Sequence, residues 1–225
     1  GSSAPLRLVL SQQHAEGGAT KVLATLKAGR NEITVPQLSS LDFEKGGQLY
    51  VEYTGASDAE HWGVRVSGAT AVPALDLYQV ADPAERLART TAYLEKLEAH
   101  VGGLAQFHEE HHAKGGNASV HYAYDEKNCI ANATDIMLDQ MMCSVPAQQI
   151  LADAGGGSTE ARAERLLASF DAMDQMMELF YQHKGLTNSF EKNTPAAVVK
   201  ANSLPSQHLN IRYARMFAGA FMYAA

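Results

Sequence analysis

Asp82-Pro83-Ala84-Glu85 is where the sequence changes character. Asp at the N-cap, Pro at the first helical position and Glu at the third, reaching back to the cap, are what a helix start needs. Leu87, Leu94 and Val101 then recur once per heptad, with Leu97 and Leu104 beside them, which predicts a helix with one apolar stripe. His108 continues the first row and His111 the second. Gly102-Gly103 weakens the helix in between, and Gly115-Gly116 ends it.

Upstream of Asp82 the pattern is that of short strands. Leu6–Leu10 is apolar, and Lys21–Leu26 alternates. The turn cluster Ala28-Gly29-Arg30-Asn31 leads into Glu32–Val35, so these two segments read as a hairpin with a longer loop. Gly46-Gly47 opens Gln48–Tyr53, rich in β-branched and aromatic residues, and Trp62–Ser67 alternates Val64 and Val66 with polar neighbours. Leu75, Leu77 and Val80 form a further strand side. Short segments at this spacing, with Gly-rich turns, predict a small antiparallel β-sandwich over residues 1–80. Such a module suits carbohydrate or partner binding if Trp62 or its tyrosines are exposed. The commoner use of these aromatics is to fill a core, and that use is the expectation.

Downstream the sequence reads as mostly helical over 81–225. After an extended piece at Val120–Tyr124, Asn128–Met142 reads as a helix with Ile130, Ala133, Ile136 or Met137, and Met141 on one face. Gly155-Gly156-Gly157 is a loop, because no Lys-Ser/Thr pair follows to make it a phosphate cradle. Thr159–Lys184 is the clearest helix, with Leu166, Phe170, Met173, Met177 and Phe180 at core spacing, and Gly185 closes it. Asn188–Ser206 is polar and reads as a long surface loop, and Leu209–Met222 as a helix rich in small residues. The fold class expected is therefore α+β, an N-terminal antiparallel β-sandwich module followed by a mostly α-helical segment.

Composition excludes several partners. The net charge is −7 and no Lys/Arg run is clustered, which argues against nucleic acid or an anionic membrane. No apolar run approaches a bilayer span, so no transmembrane segment is expected. Cys129 and Cys143 read as free buried thiols. Asn117 and Asn132 head Asn-x-Ser/Thr sites, which matter only in a eukaryotic secretory pathway. Gly1-Ser2-Ser3 reads as an expression scar with no signal peptide after it, and the apolar end Phe221-Met222-Tyr223-Ala224-Ala225 predicts a chain cut within its own fold. No G-x-S-x-G elbow occurs, so a serine triad has no support.

One short motif carries potential chemistry. His108-Glu109-Glu110-His111-His112 is an H-E-x-x-H, which puts His108 and His112 one helical turn apart on one face with Glu109 beside them. Read as zinc chemistry, His108 and His112 are ligands, Glu109 is the general base and Glu126 the third ligand of a self-contained zincin. Read structurally, it is a solvated helix end, where imidazoles interact favourably with the dipole. Three features favour the second reading. The middle positions of a peptidase's zinc helix lie under the cleft and tend to be uncharged, whereas here they are Glu110 and His111. Ala113-Lys114-Gly115-Gly116 follows at once, so a ligand would sit on a fraying turn. The residues themselves are those of a charged terminus.

Other residues carry a resemblance to a known family. Gly46-Gly47-Gln48-Leu49-Tyr50-Val51, the Val64-Arg65-Val66-Ser67-Gly68 strand and Val72-Pro73-Ala74 resemble the N-terminal module of the enhancin-like, mucin-targeting zinc metallopeptidases, metallopeptidase family sixty. Leu204-Pro205-Ser206-Gln207-His208-Leu209-Asn210-Ile211-Arg212-Tyr213, running into Arg215-Met216-Phe217-Ala218-Gly219-Ala220-Phe221-Met222-Tyr223, is similar to the segment before the catalytic helix of bacterial members. In that family H-E-x-G-H and a later glutamate ligand follow the tail segment. The H-E-x-x-H here lies well upstream of that place and lacks the glycine, so no catalytic, cofactor-binding or metal residue is carried over. The resemblance implies a secreted or cell-surface parent protein that holds zinc and cleaves O-glycosylated glycoproteins. Its front part, this chain, is expected to hold no zinc itself and to have two partners, the glycoprotein substrate and the remainder of the catalytic domain.

Overall fold

The computed structural model describes residues 4–12, 19–36, 46–53, 55, 62–111, 129–205 and 208–212. Its first strands, β1 (Leu6–Gln12), β2 (Ala19–Thr25) and β3 (Gln48–Tyr53), form a three-stranded antiparallel sheet in the order β2-β1-β3. Leu6 pairs with Tyr53, Leu8 with Val51 and Leu10 with Leu49, so alternate residues share a face, and Leu8 and Leu10 are buried there. Gly46-Gly47 has a physical reason. At Gly47 an added Cβ would stand 2.5 Å from the Ser11 carbonyl oxygen, so the entry to β3 passes too close to β1 for any side chain. The Ala28–Asn31 turn is closed by Asn31, whose amide donates to the Lys27 carbonyl at 2.8 Å and whose side-chain oxygen accepts from the Lys27 N–H at 3.0 Å. Beyond this turn Glu32–Val35 makes no ladder, so the expected hairpin between it and β2 does not form; β2 pairs with β1 instead. Trp62–Ser67 likewise makes no ladder and is exposed throughout.

The next strand, β4 (Ala74–Asp76), belongs to a different sheet. It is followed by α1 (Pro83–Gly102), α2 (Leu104–His111), β5 (Thr134–Met137), β6 (Met141–Val145), α3 (Ala147–Ala154), α4 (Thr159–His183), α5 (Ala196–Asn202) and β7 (Leu209–Arg212). The second sheet has the order β4-β5-β6-β7, with β4 parallel to β5 and β5 antiparallel to β6. The class is thus α+β, with an antiparallel N-terminal sheet preceding the helices. Asp82 starts α1 as expected, its side chain accepting from the Ala84 N–H at 3.1 Å and its carbonyl from the Arg86 N–H at 3.0 Å. The helix breaks at Gly102-Gly103, separating α1 from α2.

Other expectations are corrected as well. Asn128–Met142 is no helix; its described part, from Cys129, leads into the β5–β6 hairpin. Thr134, Ile136 and Leu138 are buried alternately, a period of two that coexists in this stretch with the helical spacing of Ala133, Met137 and Met141. Asn188–Ser206 contains α5, which begins directly after Pro195, where a proline costs the helix nothing. Leu209–Met222 opens as strand β7, not as a helix; residues 213–222 lie outside the described part. On α4, Ser158 caps the start by accepting from the Ala161 N–H, and Leu166, Phe170 and Met177 are buried. Phe180 is 52% exposed, and Tyr181 takes the inward place instead.

Contacts divide the chain into two compact units, Gly1–Val72 with His100–Ala133 and Arg212–Ala225, and Pro73–Ala99 with Thr134–Ile211. In the first, Leu104, Cys129 and Ala131 form a buried cluster with Val101 and Phe107 packed on it. The Gln48 amide donates to the Ile130 carbonyl at 2.7 Å. In the second, Leu75, Leu77, Tyr93, Leu94, Leu97, Ile136, Leu138, Met141, Leu166 and Phe170 are buried. Arg86 pairs with Asp171 at 2.6 Å and Arg162 pairs with Glu98, fastening α1 to α4 at two points. Among the described residues no helix is long and apolar enough to cross a membrane.

Candidate functional site

Helix α2, described over Leu104–His111, carries the first four residues of the histidine motif. Leu104 is buried and Phe107 packs against the same cluster, which fixes the inner face of the helix. His108 is half-buried, while Glu109 and Glu110 are exposed. The Gln106 amide donates to the Glu110 carboxylate at 2.8 Å, an ordinary surface pair one turn apart. His108 and Glu109 are consecutive, so their side chains leave the axis roughly 100° apart and face different surroundings. His112 and Glu126 lie outside the described residues. The structure therefore places two of the four zinc candidates, His108 and Glu109, on the described part of α2. Among the described residues no group of three or more His, Cys, Asp or Glu side chains is arranged to hold a metal ion.

The cysteines are free and buried, as expected. Burial first, and then the neighbouring Asp174 carboxylate, push the Cys143 thiol above its ordinary range, which suppresses the reactive thiolate. Asn132 is 2% exposed, and the folded chain does not present it to a glycosyl donor. Asn117 lies outside the described residues.

Trp62 corrects the expectation that it fills the core. It is 39% exposed and leans on Tyr53, with ring centroids 5.1 Å apart and planes tilted by 56°. The two rings make an aromatic corner at the end of β3, an edge strand of the first sheet. Next to Trp62, Gly63 faces open space. Val64 and Val66 are exposed beside it, so the alternation that reads as a half-buried strand has no second layer over it among the described residues.

A polar network that sequence reading missed lies in the second unit. The Asp174 carboxylate on α4 accepts the backbone N–H groups of Asp139 and Gln140, at 3.1 and 2.9 Å, and so holds the β5–β6 turn. The Asp139 carboxylate in turn accepts the N–H of Gln79 at 2.7 Å, fixing a left-handed residue with φ 56°. Arg86 donates to the Leu77 and Val80 carbonyls, each at 3.3 Å, besides its pair with Asp171. These carboxylates are engaged with protein donors, so the network fastens turns. The one local signal was Asp139-Gln140 as turn residues; their partner Asp174 is too distant in sequence to be paired by spacing.

No protein-family model matches this chain, and neither a curated protein nor a solved structure matches it.

Proposed function

We propose that the chain is the front part of a secreted or cell-surface zinc metallopeptidase that cleaves O-glycosylated, mucin-like glycoproteins. In this reading it supplies fold and substrate binding, and the zinc site lies elsewhere in the parent protein. The observation that carries the proposal is the paired resemblance of the Gly46–Val51 strand and the Leu204–Tyr223 block to that family. The charged middle of the motif, Glu110 and His111, accords with it. The test is metal analysis of the purified chain alongside His108→Ala. The expected result is no stoichiometric zinc in either. Bound zinc that disappears in the variant would overturn the proposal in favour of a self-contained zincin built on His108, Glu109, His112 and Glu126. In the parent protein, mucin cleavage is expected to depend on a second H-E-x-x-H beyond Ala225, and Glu→Gln in that motif is expected to abolish it.

The exposed Trp62, packed on the half-buried Tyr53, favours a second reading, that the chain is a non-catalytic carbohydrate- or partner-binding module. The apolar face of a sugar ring stacks on an exposed aromatic, as other flat ligands do. Trp62 is the sole tryptophan, so its fluorescence reports this position alone. Titration with an O-glycosylated peptide is expected to shift the emission saturably, whereas the same peptide without glycan leaves it unchanged. Calorimetry of Trp62→Ala is expected to show at least a tenfold weaker affinity, equal to about 1.4 kcal/mol. Undiminished binding by the variant would remove the corner from the account and leave the peptidase reading standing.

A further inference from the structure

We draw no further inference here: the strongest candidate, the apolar stripe of Met176, Leu179 and Phe180 exposed along the last turns of α4, is a bare helix face, and nothing among the described residues shows what covers it.

Discussion

A methyl group added at Gly47 would meet the carbonyl oxygen and carbon of Ser11 at 2.5 and 2.9 Å, backbone atoms held in the sheet. Gly47→Ala is therefore expected to cost about 3 kcal/mol, overpacking plus backbone displacement, read as a lower urea midpoint at unchanged slope. Gly29 is the control. Its φ is +88° and nothing lies within 4 Å, so Gly29→Ala meets only the left-handed penalty of about 1 kcal/mol. Equal losses at the two positions would refute the close approach as the cause. Asp174 makes a different kind of prediction. Burial raises its pKa first, and Asp139 adds to the rise, against the opposing backbone N–H groups of Gln140 and Asp139 and the charge of Arg86. The folded state thus holds this proton more tightly than the unfolded chain. Its contribution to stability is fully present below the ordinary value of 3.8 and is lost as pH rises through the higher folded value. Urea melts of the native chain and Asp174→Asn should show the native chain's relative stability falling from acid toward neutral pH. A gap that stays flat, or widens, would contradict the assigned burial.

At the scale of elements, two arginines on α1 look alike in sequence and differ in place. The Arg86 side chain is 12% exposed and satisfies two carbonyls and Asp171. Arg89 is 45% exposed, pairs with Glu85 one turn away and reaches the Asp76 carbonyl at 3.2 Å. Arg86→Ala should cost about 2–3 kcal/mol, because buried acceptors are left unmet, and Arg89→Ala less than about 1 kcal/mol. Thermal or urea unfolding of both variants checks the order. Elements bounded by their own chemistry were legible in the sequence: Asp82 caps from within, and Gly102-Gly103 and Gly185 interrupt from within. The β5–β6 hairpin was not, because helical and strand spacings overlap there and the deciding contact comes from Asp174 on α4. Phe180 and Tyr181 were exchanged for a similar reason. Both fit an apolar stripe, and only the packed neighbour decides which ring turns inward. Of the candidate site, the helix under His108 was legible, while the exposure of Trp62 was not, since alternation says that a strand has two sides and not that both are covered.

For the whole molecule, the buried cluster of the first unit draws Leu104, Cys129 and Ala131 from residues far beyond its sheet, and Gln48 on β3 bonds to Ile130. A fragment of residues 1–80 keeps the strands and loses that cluster. It is expected to lack cooperative unfolding and dispersed amide signals when made alone, and a sharp thermal transition in the fragment would show that the sheet closes its core unaided.

The bond from Gln48 to Ile130 also sets a clock for synthesis, since 82 positions separate its ends. At about 5–20 residues per second, the first sheet waits roughly 4–16 s on the ribosome before the carbonyl it needs has been made. Throughout that wait the Gln48 amide, buried in the folded chain, lacks its acceptor, and the cluster of Leu104, Cys129 and Ala131 is unbuilt. The liability of this protein is thus greatest before it is finished. A chaperone that recognises exposed apolar segments is expected to hold nascent chains stalled before Ile130 and to let go of those stalled after Phe180, where Ile130 has cleared the exit tunnel. Ribosome-bound chains of the two lengths, assayed for chaperone retention, should differ in that direction, and equal retention would mean that the sheet is closed without Ile130.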